Sequence, residues 1–232
     1  MRRVLIGKNA RVWQLLARDP VIIHRFGPAI GHREVADFPF EPDDEVWVLS
    51  YSRIVAENEA LVSSLQKATI GRVVYFSSAT TNIVPKIECY TYPRVKALAA
   101  LDASTRLGAV VVLLGMVHET TEELPGGTTA AIGMDELRSF FSSFETGDEQ
   151  EIRLFSLVGK PFANSFENAL FQLYGQMQHL LGRWPCLLRP LDILLRAMGY
   201  RWYGYVNASN RLWMSTISSS DPASRRWLLP QD

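Results

Sequence analysis

Cysteine is scarce: Cys89 and Cys186 are the only two in 232 residues, too few and too far apart for a disulfide framework or a zinc site. The four histidines, His24, His32, His118 and His179, stand at no metal-ligand spacing, so no structural metal is expected. Neither charge is in excess. Lysine plus arginine and aspartate plus glutamate each number 24, a balance that projects no net field toward nucleic acid or an acidic membrane. Long apolar runs are missing too: the longest, residues 108–117, is about half of what crosses a bilayer, and the run after Arg3 is far shorter than a signal peptide needs. The expectation is a chain of a reducing, cytoplasmic compartment with no transmembrane segment and no nucleic-acid partner. Two catalytic signatures are also absent. No Gly-x-Ser-x-Gly nucleophile elbow occurs, and Gly159-Lys160 lacks the upstream glycine and the following Ser/Thr of a phosphate loop.

What is present suits an ordinary globule, with 47% hydrophobic and 21% charged residues. A chain of this length buries a sizeable core as one domain, alone or with a small lobe. Short β-rich apolar runs alternate with segments of helical period. Strands are expected at 3–6, 21–24, 34–36, 45–50, 72–76, 109–114 and 152–157, and helices at 10–17, 55–68 and 92–107. Such alternation predicts an α/β fold, a doubly wound parallel sheet with its ligand crevice at the carboxyl ends of the strands. After Gly159 the sequence becomes rich in Leu, Trp and Tyr, with helices at 166–181 and 189–198, and Pro190 is placed near the first turn of the latter. The expected division is a main domain over 1–158 and a small, mainly helical C-terminal lobe over 159–232. Trp184, Trp202, Trp213 and Trp227 fall in that lobe. Its aromatic density is that of a lobe packed on the sheet; a substrate lid, a subunit interface and a peripheral membrane contact are the sharper alternatives.

The residues best suited to chemistry are Ser78, Tyr92 and Lys96. Tyr92 and Lys96 lie one helical turn apart, and Ser78 ends a neighbouring strand. A tyrosine hydroxyl ionises near pH 10, too high for a base at neutral pH, and a nearby ammonium lowers it. Tyr92 would then move a proton, Lys96 would supply the charge, and Ser78 would hold the reacting oxygen. Spacing alone is a weak signal, since Tyr-x-x-x-Lys pairs arise by chance.

The order of segments adds weight. Glu45-Val46-Trp47-Val48-Leu49-Ser50, Glu57-Asn58-Glu59-Ala60-Leu61-Val62, the run from Arg72 to Thr80, Tyr92 to Lys96 with the alanines after it, and Arg106 to Gly115 together resemble the extended short-chain dehydrogenase/reductase family. The resemblance covers residues 1–160 by order and is closest over 45–115. It implies a Rossmann-type nucleotide-binding sheet, NAD or NADP as cofactor, and Ser78, Tyr92 and Lys96 as catalytic residues, with Lys96 also bonding the nicotinamide ribose. It also implies a nucleotide-activated sugar or related carbohydrate as substrate, and a homodimer through the helices at 55–68 and 92–107. The Asp-Glu pair of the family's dehydratases is replaced by Ala79-Thr80, which leaves reductase and epimerase.

Departures concern the cofactor. The family's opening turn, Gly-x-x-Gly-x-x-Gly, is here Gly7-Lys8-Asn9-Ala10-Arg11-Val12-Trp13, which retains only the first glycine. Either the helix is displaced or the Trp13 indole occupies space a dinucleotide needs. Lys8 and Arg11 could pair with phosphate. His24-Arg25 stands where an acidic residue would select NAD, so Arg25 suits a 2′-phosphate or is a plain surface arginine; Asp37 falls where the family contacts adenine, and Ser50 joins the expected cofactor contacts. A catalytically retired Rossmann protein with a binding, regulatory or scaffolding role is the rival reading.

Overall fold

A computed structural model describes residues 2–83, 91–145, 147, 149–181 and 184–200. Its frame is a sheet of six parallel strands: β1 (Arg3–Ile6), β2 (Ala29–Ile30), β3 (Glu45–Val48), β4 (Arg72–Ser78), β5 (Val110–Leu114) and β8 (Glu151–Leu154). Their order is β2-β1-β3-β4-β5-β8, every pair parallel. Successive side chains of a strand point to opposite faces. Val4, Ile6, Val46, Val48 and Tyr75 therefore join one core, while Leu5, Trp47, Val74 and Phe76 join the other. Burial on both faces explains why these strands read as continuous apolar runs.

The first core is closed by α3 (Val55–Lys67) and α4 (Thr91–Leu107), where Ala99, Ala100 and Ala103 let the helix lie close to the strands. The second is closed by α1 (Arg11–Leu16), α2 (Pro20–Arg25) and α5 (Met134–Ser143). Here aromatic rings do the filling: Trp47 packs against Phe26 at 5.0 Å and Phe141 at 5.1 Å, and Phe76 stacks on Phe141 at 5.3 Å. Contacts of this kind add about 0.5–1.5 kcal/mol each to the area they bury.

Two expected strands are not strands. Residues 21–24 lie in α2, because Asp19 caps that helix by accepting from the Val21 amide and Pro20 sets its first turn. The second strand is instead the two-residue β2. Residues 34–36 lie in a 3-10 helix, His32–Asp37, where the Glu34 carboxylate reaches back to the Gly31 amide at 2.8 Å. The half of the sheet beyond β1 is thus reduced to one short strand.

A second, three-stranded sheet was not foreseen: β6 (Met116–His118), β7 (Gly127–Gly133) and β9 (Ser156–Lys160) in the order β6-β7-β9. The run at 152–157 is split between β8 of the first sheet and β9 of the second. Gly115 lets the chain leave one sheet for the other, since a Cβ there would lie 2.6 Å from that of Phe155 and 2.9 Å from the Ala130 carbonyl oxygen.

The C-terminal part is helical: α6 (Ser165–Leu181) and α7 (Pro185–Ala197) pack through Phe171, Tyr174, Leu188 and Leu195. The second of these begins earlier than expected, which puts Pro190 inside it. Trp184 is 55% exposed; Trp202, Trp213 and Trp227 lie outside the described residues. No helix among the described residues is long and apolar enough to cross a membrane.

Candidate active site

A cavity of about 650 Å³ opens at the carboxyl ends of β1, β3, β4 and β5, the end at which parallel α/β sheets bind ligands. Its floor begins at Gly7. That residue has φ +121°, and a Cβ on it would sit 2.9 Å from the Ser50 amide nitrogen, so only glycine allows β1 to turn beneath the end of β3. The Gly7 amide donates to the Ile30 carbonyl at 2.8 Å, and the Ala10 amide returns to the Gly7 carbonyl at 2.7 Å. Asn9, Ala10 and Arg11 follow as lining. The Arg11 side chain is exposed and has no ion-pair partner among the described residues.

Trp13 is not part of the wall. Helix α1 turns Val12 and Leu15 toward the cavity and Trp13 and Leu16 into the core. The indole, 7% exposed, meets Phe26 edge-on at 5.6 Å. It takes no space from the cavity.

On the opposite wall, Ser78 ends β4 and Tyr92 stands in the first turn of α4, both lining the cavity. Thr80 steadies the serine, its Oγ1 lying 3.0 Å from Ser78 Oγ. Lys96 follows one turn on and is 6% exposed. Its Nζ donates to the Phe76 carbonyl at 2.9 Å and lies 5.0 Å from the ring centre of Tyr51, which itself meets Tyr92 edge-on at 5.3 Å. All three expected catalytic residues therefore line one cavity.

The electrostatics differ from expectation. Burial pushes the Tyr92 hydroxyl above its ordinary value, and the neighbouring Ser78 hydroxyl only partly opposes this. Burial also drives the Lys96 ammonium down to about 8. Lys96 Nζ is anchored on the Phe76 carbonyl, and the upward direction at Tyr92 is the opposite of the lowering expected from a neighbouring ammonium.

Of the expected cofactor contacts, Gly7, Asn9, Ala10, Arg11, Ser50 and Lys96 line the cavity, whereas Lys8, Arg25 and Asp37 do not. Lys8 is paired with Glu34. Asp37 is exposed at the end of the 3-10 helix. Arg25, expected at a strand end, stands at the end of α2; its guanidinium donates to the Phe144 carbonyl at 2.6 Å and pairs with Glu145. Glu145 also holds Arg3 at the amino end of β1, so Arg25 is tied to the opposite end of the sheet from the cavity.

Sequence reasoning missed His32. Its Nε2 lies 3.1 Å from the Glu57 carbonyl oxygen and its Nδ1 lies 2.8 Å from Ser50 Oγ. A carbonyl only accepts, so the neutral ring carries its proton on Nε2 and takes the Ser50 hydroxyl on Nδ1. The only signal was a histidine two residues past β2, and that strand had been placed elsewhere.

No family model and no curated protein matches the sequence. Solved structures do match by shape. That of gox2253 aligns with a TM-score of 0.52 at 13% identity, over 95% of this chain and 99% of that one. ChuY, an anaerobillin reductase from Escherichia coli O157:H7, aligns at 0.50 and 12% identity, over 71% of this chain and all of its own. The fold is Rossmann-type. A UDP-glucuronic acid 4-epimerase from Bacillus cereus, solved with NAD, also matches at 0.46 and 10% identity, over 68% of this chain and 79% of that one. The Rossmann-type sheet of this chain keeps the usual crevice and shortens the half beyond β1.

Proposed function

We propose that the chain is a nicotinamide-dependent reductase of the short-chain dehydrogenase/reductase type, in which Tyr92 gives a proton to a substrate carbonyl oxygen held by Ser78. The observation that carries this reading is that Ser78, at the end of β4, and Tyr92, in the first turn of α4, line the same cavity, with Lys96 one helical turn away. Reduction starts from the protonated hydroxyl, the form that burial favours, whereas an epimerase must first take a proton on the deprotonated one. The family resemblance favours a nucleotide-activated sugar or related carbohydrate as substrate.

The residues present fit NADPH or NADH. The cradle at Gly7, which a Cβ would fill, admits a backbone approach to a pyrophosphate, and the exposed Arg11, with no ion-pair partner among the described residues, lines the cavity beside it. Lys96 and Ser78 stand at the far side, suited to the nicotinamide half. When bound, such a cofactor supplies the hydride. The protein's own part is to orient the carbonyl through Ser78, deliver the proton from Tyr92, and keep Lys96 beside the strand end.

Replacement Tyr92→Phe tests the role. It removes the hydroxyl and keeps the ring against Tyr51, so the fold stays while reduction of a panel of keto sugars with NADPH or NADH falls by roughly 10²–10⁴-fold. An unchanged rate overturns the mechanism. One observation favours a second reading, a binding protein that keeps the fold without turnover: the Lys96 ammonium is anchored on the Phe76 carbonyl, and the Tyr92 hydroxyl is pushed up, not down. Calorimetric titration separates the two readings, because heats with neither NADPH nor NADH would favour the second.

A further inference from the structure

Ser77 is 4% exposed, and its Oγ has no hydrogen-bond partner among the described residues. It also lines the cavity. A buried hydroxyl without a partner is a net cost to the fold, and nothing in the fold of β4 needs one: Phe76, the residue before it, fills a core with carbon alone. Beside it, Lys96 donates to the Phe76 carbonyl, the peptide oxygen that immediately precedes Ser77, and an ammonium has three donors of which this bond uses one. That hydroxyl and the spare donors of the ammonium held at the preceding carbonyl suit a pair of adjacent hydroxyls, each able to donate and accept.

We infer that Ser77 is a positioning residue of this site, its Oγ helping to hold the ribose diol on the nicotinamide side of the bound cofactor, where the family resemblance already places a bond from Lys96. The assignment rests on the nicotinamide reading above. Ser77 acts on cofactor placement and takes no part in proton transfer, which stays with Tyr92. Its cost to the free protein is the counterpart of its use in the complex.

Calorimetry with NADPH, NADH and ADP, together with thermal melts of the free proteins, tests this in the wild type, Ser77→Ala and Tyr75→Phe. Tyr75 is the control, because its hydroxyl is also buried and without a hydrogen-bond partner among the described residues, but it does not line the cavity. Ser77→Ala is expected to weaken the preferred nicotinamide cofactor by roughly five- to tenfold. ADP affinity, which involves only the other half of the cofactor, stays the same. The free Ser77→Ala protein melts at the wild-type temperature or above it, since an unsatisfied group has been removed. Tyr75→Phe leaves all affinities unchanged. If the wild type binds NADPH or NADH and Ser77→Ala binds equally well, this inference falls and the nicotinamide reading stands. Equal losses for ADP, or the same loss in Tyr75→Phe, trace the effect to packing and also overturn it. A wild type that binds neither nicotinamide cofactor removes both.

Discussion

Trp13 decides between two accounts of the first turn, and Trp13→Ala puts them in opposition. In the structure the indole is a core residue, 7% exposed, seated among Leu5, Phe26, Trp47 and Phe141 and edge-on to Phe26. Truncation removes the ring and leaves a void that backbone strands on one side and aromatic rings on the other cannot close. Losses for such Trp→Ala changes are about 3–5 kcal/mol, which for a chain of this size lowers the melting temperature by roughly 6–20 °C. Urea unfolding followed by far-ultraviolet circular dichroism reads this without relying on the lost fluorophore. Calorimetry with NADPH and NADH reads the other account, in which the indole stands in the cofactor's place and its removal tightens binding. The structural account expects a large loss of stability and no gain in affinity. A loss below about 1 kcal/mol together with tighter nucleotide binding would refute the reasoning.

Two further perturbations test the energetics. Lys96 has a pKa of about 8 in the folded chain against an ordinary 10.5. Between those values the unfolded chain binds the extra proton, so wild-type stability rises with pH from about 8 to about 10.5; below pH 8 the burial cost, on the order of 3 kcal/mol, is present in full. Lys96→Met is therefore expected to exceed the wild type at pH 7 and to lose that lead as pH rises through the window; parallel curves from denaturant titrations at several pH values would count against it. Glu45 is buried and accepts from Arg3 Nε at 2.6 Å and Trp47 Nε1 at 2.7 Å. Glu45→Ala strands both donors and is expected to cost about 3 kcal/mol, read as a lower urea midpoint at an unchanged slope.

The parts of the fold that could be read from sequence are those whose signal is local. β1, β3, β4 and β5 are apolar runs buried on both faces, and α3 and α4 carry helical period over 13 and 17 residues, so their positions follow from pattern alone. The acidic pair Asp135-Glu136 opens α5 at its positive end as such pairs do. What failed lies between β1 and β3. Val21-Ile22-Ile23 has the β-branched composition of a strand, and the Asp19-Pro20 cap overrides it. With β2 misplaced, Arg25 and Asp37 were set at a crevice they do not reach, and His32, which does reach it, went unread. The second sheet was missed because its strands pair residues up to 33 positions apart, as Gly127 does with Lys160, and no local period records that. The trio of Ser78, Tyr92 and Lys96 was legible because strand end and helix face are both short-range features. The anchoring of Lys96 on Phe76 was not, since it depends on how closely the Ala-rich α4 lies on β4.

Trp13 and Arg25 follow from one structural event. A single helix after β1 would run the length of the sheet and need a small residue where it crosses closest. Here that helix stops at Leu16, and Asp19-Pro20 starts another. The break makes room for the indole under α1, and the second piece carries Arg25 to the amino end of the sheet, where it meets Glu145 and the end of α5. The chain returns as β2 for two residues only, and the segment after it folds over the crevice as Gly31-His32, bonded to Ser50. The turn at Gly7 and the wall of Ser77, Ser78, Tyr92 and Lys96 are untouched by this change, because they hang on β1 and β4 and not on the connection between β1 and β3. A cofactor in the proposed function would therefore meet an unaltered nicotinamide side and a rebuilt adenosine side. Under that proposal, discrimination between NADPH and NADH would fall to groups that line this end of the cavity, Arg11, His32 and Ser50, and not to Arg25.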